Sequence, residues 1–93
     1  MPKRIDANQT EIVKALRQCG CSVLILSAVG KGCPDLAVGY DGTTYLLEVK
    51  DGGKTPSKQK LTPDEEAWHA AWSGHVAIVN SVEAALRVVG LVE

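Results

Sequence analysis

The chain has no phenylalanine, and two tryptophans and two tyrosines are its whole aromatic supply. A broad aromatic core is therefore excluded. With 93 residues the expectation is a single domain, 1–93, that buries only about 60 to 65% of its unfolded surface. Long hydrophobic runs are missing as well. No stretch approaches the ~20 apolar residues of a membrane span, and the opening Met-Pro-Lys-Arg-Ile-Asp lacks the apolar segment of a secretory signal. These absences point to a cytoplasmic protein with no membrane partner. Cysteine is scarce and odd in number: Cys19, Cys21 and Cys33 fit neither a disulfide framework nor the usual zinc spacings, so reduced, mostly buried thiols are expected. Charge of one sign is also lacking, since the net charge is −1 and a general nucleic-acid coat usually carries an evident basic excess.

What is present is an uneven distribution of that charge. Lys50, Lys54, Lys58 and Lys60 crowd one segment with Asp51 as its single acid, whereas five acids from Leu61 onward face only Arg87. Taken alone, this is also the pattern of a solvated lysine-rich loop beside an acidic helix.

Periodicity and turn residues divide the chain. A helix from about Ala7 to Gln18 is capped by Asp6 with Gln9 three residues on. Its apolar stripe is Ile12, Ala15, Leu16 and Cys19. Gly20 stops it, and Cys21 to Leu26 is a continuous apolar run suited to a buried, central strand. Ser27 to Cys33 reads as an exposed loop because of its two glycines. Pro34 opens a strand to Tyr40, Asp41-Gly42 signals a two-residue hairpin turn, and Thr43 to Lys50 returns.

Residues 51–60 have loop composition, and at ten residues the segment is long enough to suggest a functional role. Thr62 caps a second helix with Pro63 at its first position and Glu65 closing a capping box. Trp68, Ala71 and Trp72 form its buried face, and Gly74 ends it. Val76 to Val79 is a fourth strand, and Asn80 with Glu83 caps a last helix bearing Val82, Ala85, Leu86 and Val89. The order α-β-β-β-α-β-α predicts an α/β or α+β protein with a mixed four-stranded sheet flanked by helices.

The hairpin fixes a register. If Asp41-Gly42 is the loop, every opposed pair sums to 83, which sets Leu36 against Leu47, Val38 against Tyr45, and Asp35 against Glu48. Opposed residues have β-carbons about 4.5 to 5.5 Å apart, and like charges there are destabilising. A divalent cation between the carboxylates would offset that, because Mg²⁺ commonly takes one or two carboxylates together with water and phosphate oxygens. An acid that keeps its proton or splays into water would do so too. Lys50, two residues beyond Glu48, points to the same side of the sheet.

Gly32-Cys-Pro34-Asp35, a hairpin, and then Glu48-Val49-Lys50 resemble the PD-(D/E)xK nuclease signature. The continuation Asp51-Gly52, Ser57-Lys-Gln-Lys-Leu-Thr62 and Trp72-x-Gly74 looks like the small stand-alone VRR-NUC nucleases often found in phages, over nearly the whole chain. The resemblance implies a restriction-endonuclease-like core and a metal-dependent endonuclease acting on structured or branched DNA. It implies Asp35, Glu48 and the backbone carbonyl of Val49 as ligands of Mg²⁺ or Mn²⁺, with Lys50 as the catalytic lysine. It also implies a homodimer, to which the small core and the apolar C-terminal run Val88-Val89-Gly90-Leu91-Val92 point as well, with no organic cofactor.

Glu11 matches the family's helical acid, and its place beside Ala15 is compatible with facing the sheet, although an exposed helical glutamate is the commoner arrangement. Gln59 resembles a polar residue found after the E-x-K strand, although a loop-capping contact explains it equally. Lys31, Lys54, Lys58 and Lys60 are the expected phosphate contacts.

Other features are weaker. His69 and His75 lack metal spacing with any cysteine and read as helix-surface and strand-entry residues. Trp68 and Trp72 could stack on bases, but their spacing beside Ala71 reads as core. Gly30-Lys-Gly32 lacks the P-loop pattern. The competing readings are a catalytically silent nucleic-acid-binding module on the same fold and a structural subunit whose acids hold a metal.

Overall fold

The structure, a computed structural model, describes residues 7–93 apart from the side chain of Lys58. The expected helix cap at Asp6 therefore lies outside the described residues. The elements are α1 (Ala7–Gln18), β1 (Ser22–Ile25), β2 (Leu36–Tyr40), β3 (Thr43–Val49), a 3-10 turn (Pro56–Gln59), α2 (Pro63–Ala71), β4 (Val76–Val79) and α3 (Val82–Val88). Helices and strands follow the expected α-β-β-β-α-β-α order. They form one α+β unit around a four-stranded mixed sheet. Among the described residues no helix is long and apolar enough to cross a membrane.

The hairpin register is the one derived from the turn: Leu36 pairs with Leu47, Val38 with Tyr45 and Tyr40 with Thr43. Its origin is local. Asp41 and Gly42 both take positive φ, 50° and 79°, which is what a two-residue hairpin turn of matching twist requires. β4 joins β3 in parallel, with Glu48 beside Ile78 and Val49 beside Val79.

The first strand is not central. The sheet order β1-β2-β3-β4 places β1 at an edge, antiparallel to β2 alone. An uninterrupted apolar run suits burial on both faces, but here Leu24 is 62% exposed. β1 is also shorter than the expected Cys21–Leu26, and β2 begins at Leu36 rather than Pro34.

Alternation along the strands gives the sheet two different faces. One carries Leu36, Val38, Leu47, Val49 and Val79, which close a core with Ile12, Val13 and Leu16 of α1, Ala85 of α3, and Val89. The buried stripe of α1 is Gln9, Ile12, Val13 and Leu16. It is rotated from the expected one, for Ala15 is half-buried and Cys19 exposed. Of the three free thiols, only Cys21 is buried.

The opposite face meets α2. This helix starts as expected, with Thr62 and Glu65 forming a reciprocal capping box, but its buried side chain is Glu65 and not the aromatic face. Trp68 is half-buried, Ala71 exposed and Trp72 45% exposed. The two indoles stack on each other at 4.8 Å between ring centres. Helical spacing had put them on one side correctly; the docking of α2 turned another side inward. The cap of α3 is Ser81, whose Oγ accepts the Ala84 amide at 3.1 Å. Asn80 is instead drawn to Gln59, donating to its Oε1 at 3.1 Å.

Candidate active site

Four segments meet where the β2–β3 ladder ends. Asp35 stands just before β2, Glu48 and Lys50 at the end of β3, α2 crosses the same face, and α1 reaches the strand end with its first turn. Asp35 and Glu48 are 1% and 0% exposed, a degree of burial that carboxylates reach almost solely when partnered.

Asp35 ends the ladder by substituting side chain for backbone. Its main-chain carbonyl accepts the Leu26 amide at 2.7 Å, while its Oδ2 accepts the Val49 amide at 2.8 Å. The register pairs Leu36 with Leu47, so Asp35 still occupies the position facing Glu48. Its carboxylate, however, is met by that backbone N–H. Amide and carbonyl of one strand residue point toward the same neighbouring strand, which turns the Val49 carbonyl to the Asp35 side.

Lys50 continues the alternation from Glu48. Its backbone N–H donates to Val79 at 2.9 Å, and its carbonyl accepts the Asn8 side-chain amide at 2.7 Å. Its ammonium lies 2.7 Å from Glu65 Oε1. The same carboxylate oxygen accepts the Thr62 amide at 2.9 Å, so the capping box that starts α2 also holds the lysine. One turn later His69 presents Nε2 3.9 Å from Glu48 Oε1. Positions four apart share a helix face, so α2 sets Glu65 on Lys50 and His69 on Glu48.

The close passage of α2 depends on Gly32. A β-carbon there would lie 2.2 Å from the Asp64 carbonyl oxygen, so the 27–33 loop packs backbone to backbone on the start of α2. That loop is fixed from the other side by Ser27 Oγ, which accepts from Gln9 Nε2 at 3.0 Å.

Glu11 does not join the site. It is exposed, because it lies two positions, about 200° around a helix, from buried Gln9. The polar residues that α1 turns inward are Asn8 and Gln9. Gln59 lies behind the strand end: its Nε2 donates to the Lys54 carbonyl at 2.7 Å, pinning the 51–60 segment, and its Oε1 accepts from Asn80, whose carbonyl shares the Asn8 side-chain amide with that of Lys50. Lys31, Lys54 and Lys60 are exposed on the segments flanking the site. Sequence reasoning missed Glu65 as the partner of Lys50 and His69 as the neighbour of Glu48. The i, i+4 spacing of these two on a helix that follows the Glu-Val-Lys strand was the available signal.

An open hollow of about 540 Å³ lined in part by Gln9, Val13, Arg17 and Ile25 lies between α1 and the β1 edge. It contains none of the four charged residues described above. Comparison with protein-family models, curated proteins and solved structures returned no match for this chain.

Proposed function

We propose that this protein is a metal-dependent phosphodiesterase that cleaves structured or branched DNA, with Asp35, Glu48 and Lys50 as its reactive set. The observation that carries the reading is the burial of two carboxylates at one strand end with an ammonium group two residues further on. It agrees with the PD-(D/E)xK and VRR-NUC resemblance of the same residues.

The donor chemistry suits a hard divalent ion. Among the described residues no three His, Cys, Asp or Glu side chains form a ready-made metal cluster. Two carboxylates and a carbonyl are nonetheless the protein share that Mg²⁺ completes with water and phosphate oxygens. Asp35, Glu48 and the Val49 carbonyl would hold it. When bound, such a cation supplies Lewis-acid polarisation of a phosphoryl oxygen and a more acidic water. Lys50 orients the attacking water and stabilises negative charge developing on the phosphoryl group. Glu65 keeps Lys50 in place, and the Val49 amide fixes the Asp35 carboxylate. Exposed Lys31, Lys54 and Lys60 track the phosphate backbone without reading bases. A homodimer would present two such sites to two strands.

Cleavage assays with Mg²⁺ or Mn²⁺ on linear, flapped and four-way DNA, with EDTA controls, test the reading. Wild type should cut at least one substrate, and EDTA or Lys50→Ala should stop it. Lys50→Ala should still bind DNA, because the lysine acts mainly in the transition state. Binding without cleavage by wild type would favour the silent module, a reading that draws on the engagement of Lys50 by Glu65. Failure to bind or cut would remove the nucleic-acid assignment altogether.

A further inference from the structure

Helix α2 brings to the carboxylates a group that neither the hairpin register nor the family signature assigns. His69 Nε2 is buried and has no hydrogen-bond partner among the described residues. The imidazole packs edge-on against Trp68, with ring centres 6.1 Å apart, and turns Nε2 toward Glu48 Oε1 at 3.9 Å. That separation is too long for a hydrogen bond. It falls between the about 3 Å of adjacent and the about 4.3 Å of opposite ligands that metal–donor distances of about 2.0 to 2.2 Å give, so a small side-chain rotation brings both atoms onto one ion.

We propose that His69 Nε2 is a further ligand of the cation held at Glu48, and that it shifts the site's choice of metal from Mg²⁺ toward Mn²⁺. This inference rests on the metal-dependent reading of the site. Its chemistry follows from ligand softness. Mg²⁺ favours all-oxygen shells, whereas imidazole suits transition metals. His75 supplies a natural control, since it is exposed and lies against Tyr45 at 5.4 Å between ring centres.

The test uses the full chain with Mn²⁺ and Mg²⁺ as probes and needs no substrate. Pulsed electron paramagnetic resonance of the Mn²⁺-loaded wild type should show hyperfine coupling to a directly bonded ¹⁴N. The coupling should vanish in His69→Gln and persist in His75→Gln. By calorimetry, His69→Gln should weaken Mn²⁺ by about tenfold or more, the scale on which even outer-shell changes act, and Mg²⁺ by less than about twofold. Glu48→Gln should weaken both.

Mn²⁺ binding that depends on Glu48 but shows no ¹⁴N coupling in the wild type would overturn the role of His69 and leave the metal reading standing. Binding that Glu48→Gln does not weaken would remove both. The wild-type spectrum decides the question even if a variant fails to fold.

Discussion

Asp35 shows how one side chain can satisfy backbone and site together. Its Oδ2 occupies the Val49 amide while the register keeps it facing Glu48, so Asp35→Asn removes a charge but retains an oxygen able to accept the same N–H. Without metal, the Asn variant should be more stable than wild type by on the order of 1 kcal/mol, a shift of several degrees in a domain of this size. Added Mg²⁺ or Mn²⁺ should stabilise wild type by linkage and the variant less, so the two melting temperatures should converge or cross between EDTA and millimolar metal. Parallel curves would mean that the two carboxylates do not share a site. Cys21 makes a separate residue-level test. Burial pushes its thiol up from the ordinary 9.0, and neighbouring Cys19 adds to the shift. The folded chain then holds that proton more tightly than the unfolded one. The associated stability is fully present below the unfolded value and is lost as pH rises through it toward the folded one. Urea unfolding of Cys21→Ala should therefore show a shallower decline above about pH 9 than wild type. Identical alkaline slopes would contradict the buried thiol.

At the scale of elements, the site depends on how α2 is pressed against the loop before β2. Gly32 and Gly30 both take positive φ, 84° and 78°, but only at Gly32 would a β-carbon strike neighbouring backbone. Gly30→Ala should cost about 1 to 2 kcal/mol, the strain of a left-handed conformation. Gly32→Ala should cost clearly more, because the loop or the first turn of α2 must also move. On the proposed nuclease function, it should also lower DNA cleavage beyond its effect on folding, since α2 carries Glu65 to Lys50. Equal losses at the two glycines would show that the close approach is unimportant. This dependence also explains what was legible in the sequence. Asp41-Gly42 dictates its own turn, and the turn dictates every β2–β3 pair, so Asp35, Glu48 and Lys50 could be brought together from chain order alone. No such local rule sets the rotation of α1 or α2. The α1 stripe was drawn about 60° from the true one, which left Glu11 compatible with facing the sheet, and spacing alone put Trp72 inside; packing turned Gln9 and Glu65 inward instead. The edge position of β1 was equally hidden, because an apolar run does not state how many neighbours will cover it.

At the scale of the whole molecule, and among the described residues, one face of the sheet is closed by α1 and α3 and the other is crossed by α2. The pairings align Leu24, Ala37, Leu46 and Val76 in a row across all four strands on that second face. Ile78 follows beside Glu48 and is 50% exposed. An antiparallel sheet with one side in water ordinarily alternates to polar residues on that side; this row is apolar from edge to edge. The C-terminal run that suggested a dimer does not supply the missing surface, since Val88, Val89 and Leu91 are spent on the protein's own core. The sheet face is therefore where the expected homodimer should form, as an isologous contact in which each row meets its copy. Light scattering at working concentration should give a dimer. Leu24→Lys with Ile78→Lys should give a folded monomer, because each lysine replaces a side chain already largely outside the core and would set like charges against each other across the two-fold axis. Circular dichroism and a melting curve establish that the double variant keeps the fold. A wild type that is monomeric with and without DNA would remove the dimer, and a dimer unaffected by the two lysines would place its interface elsewhere.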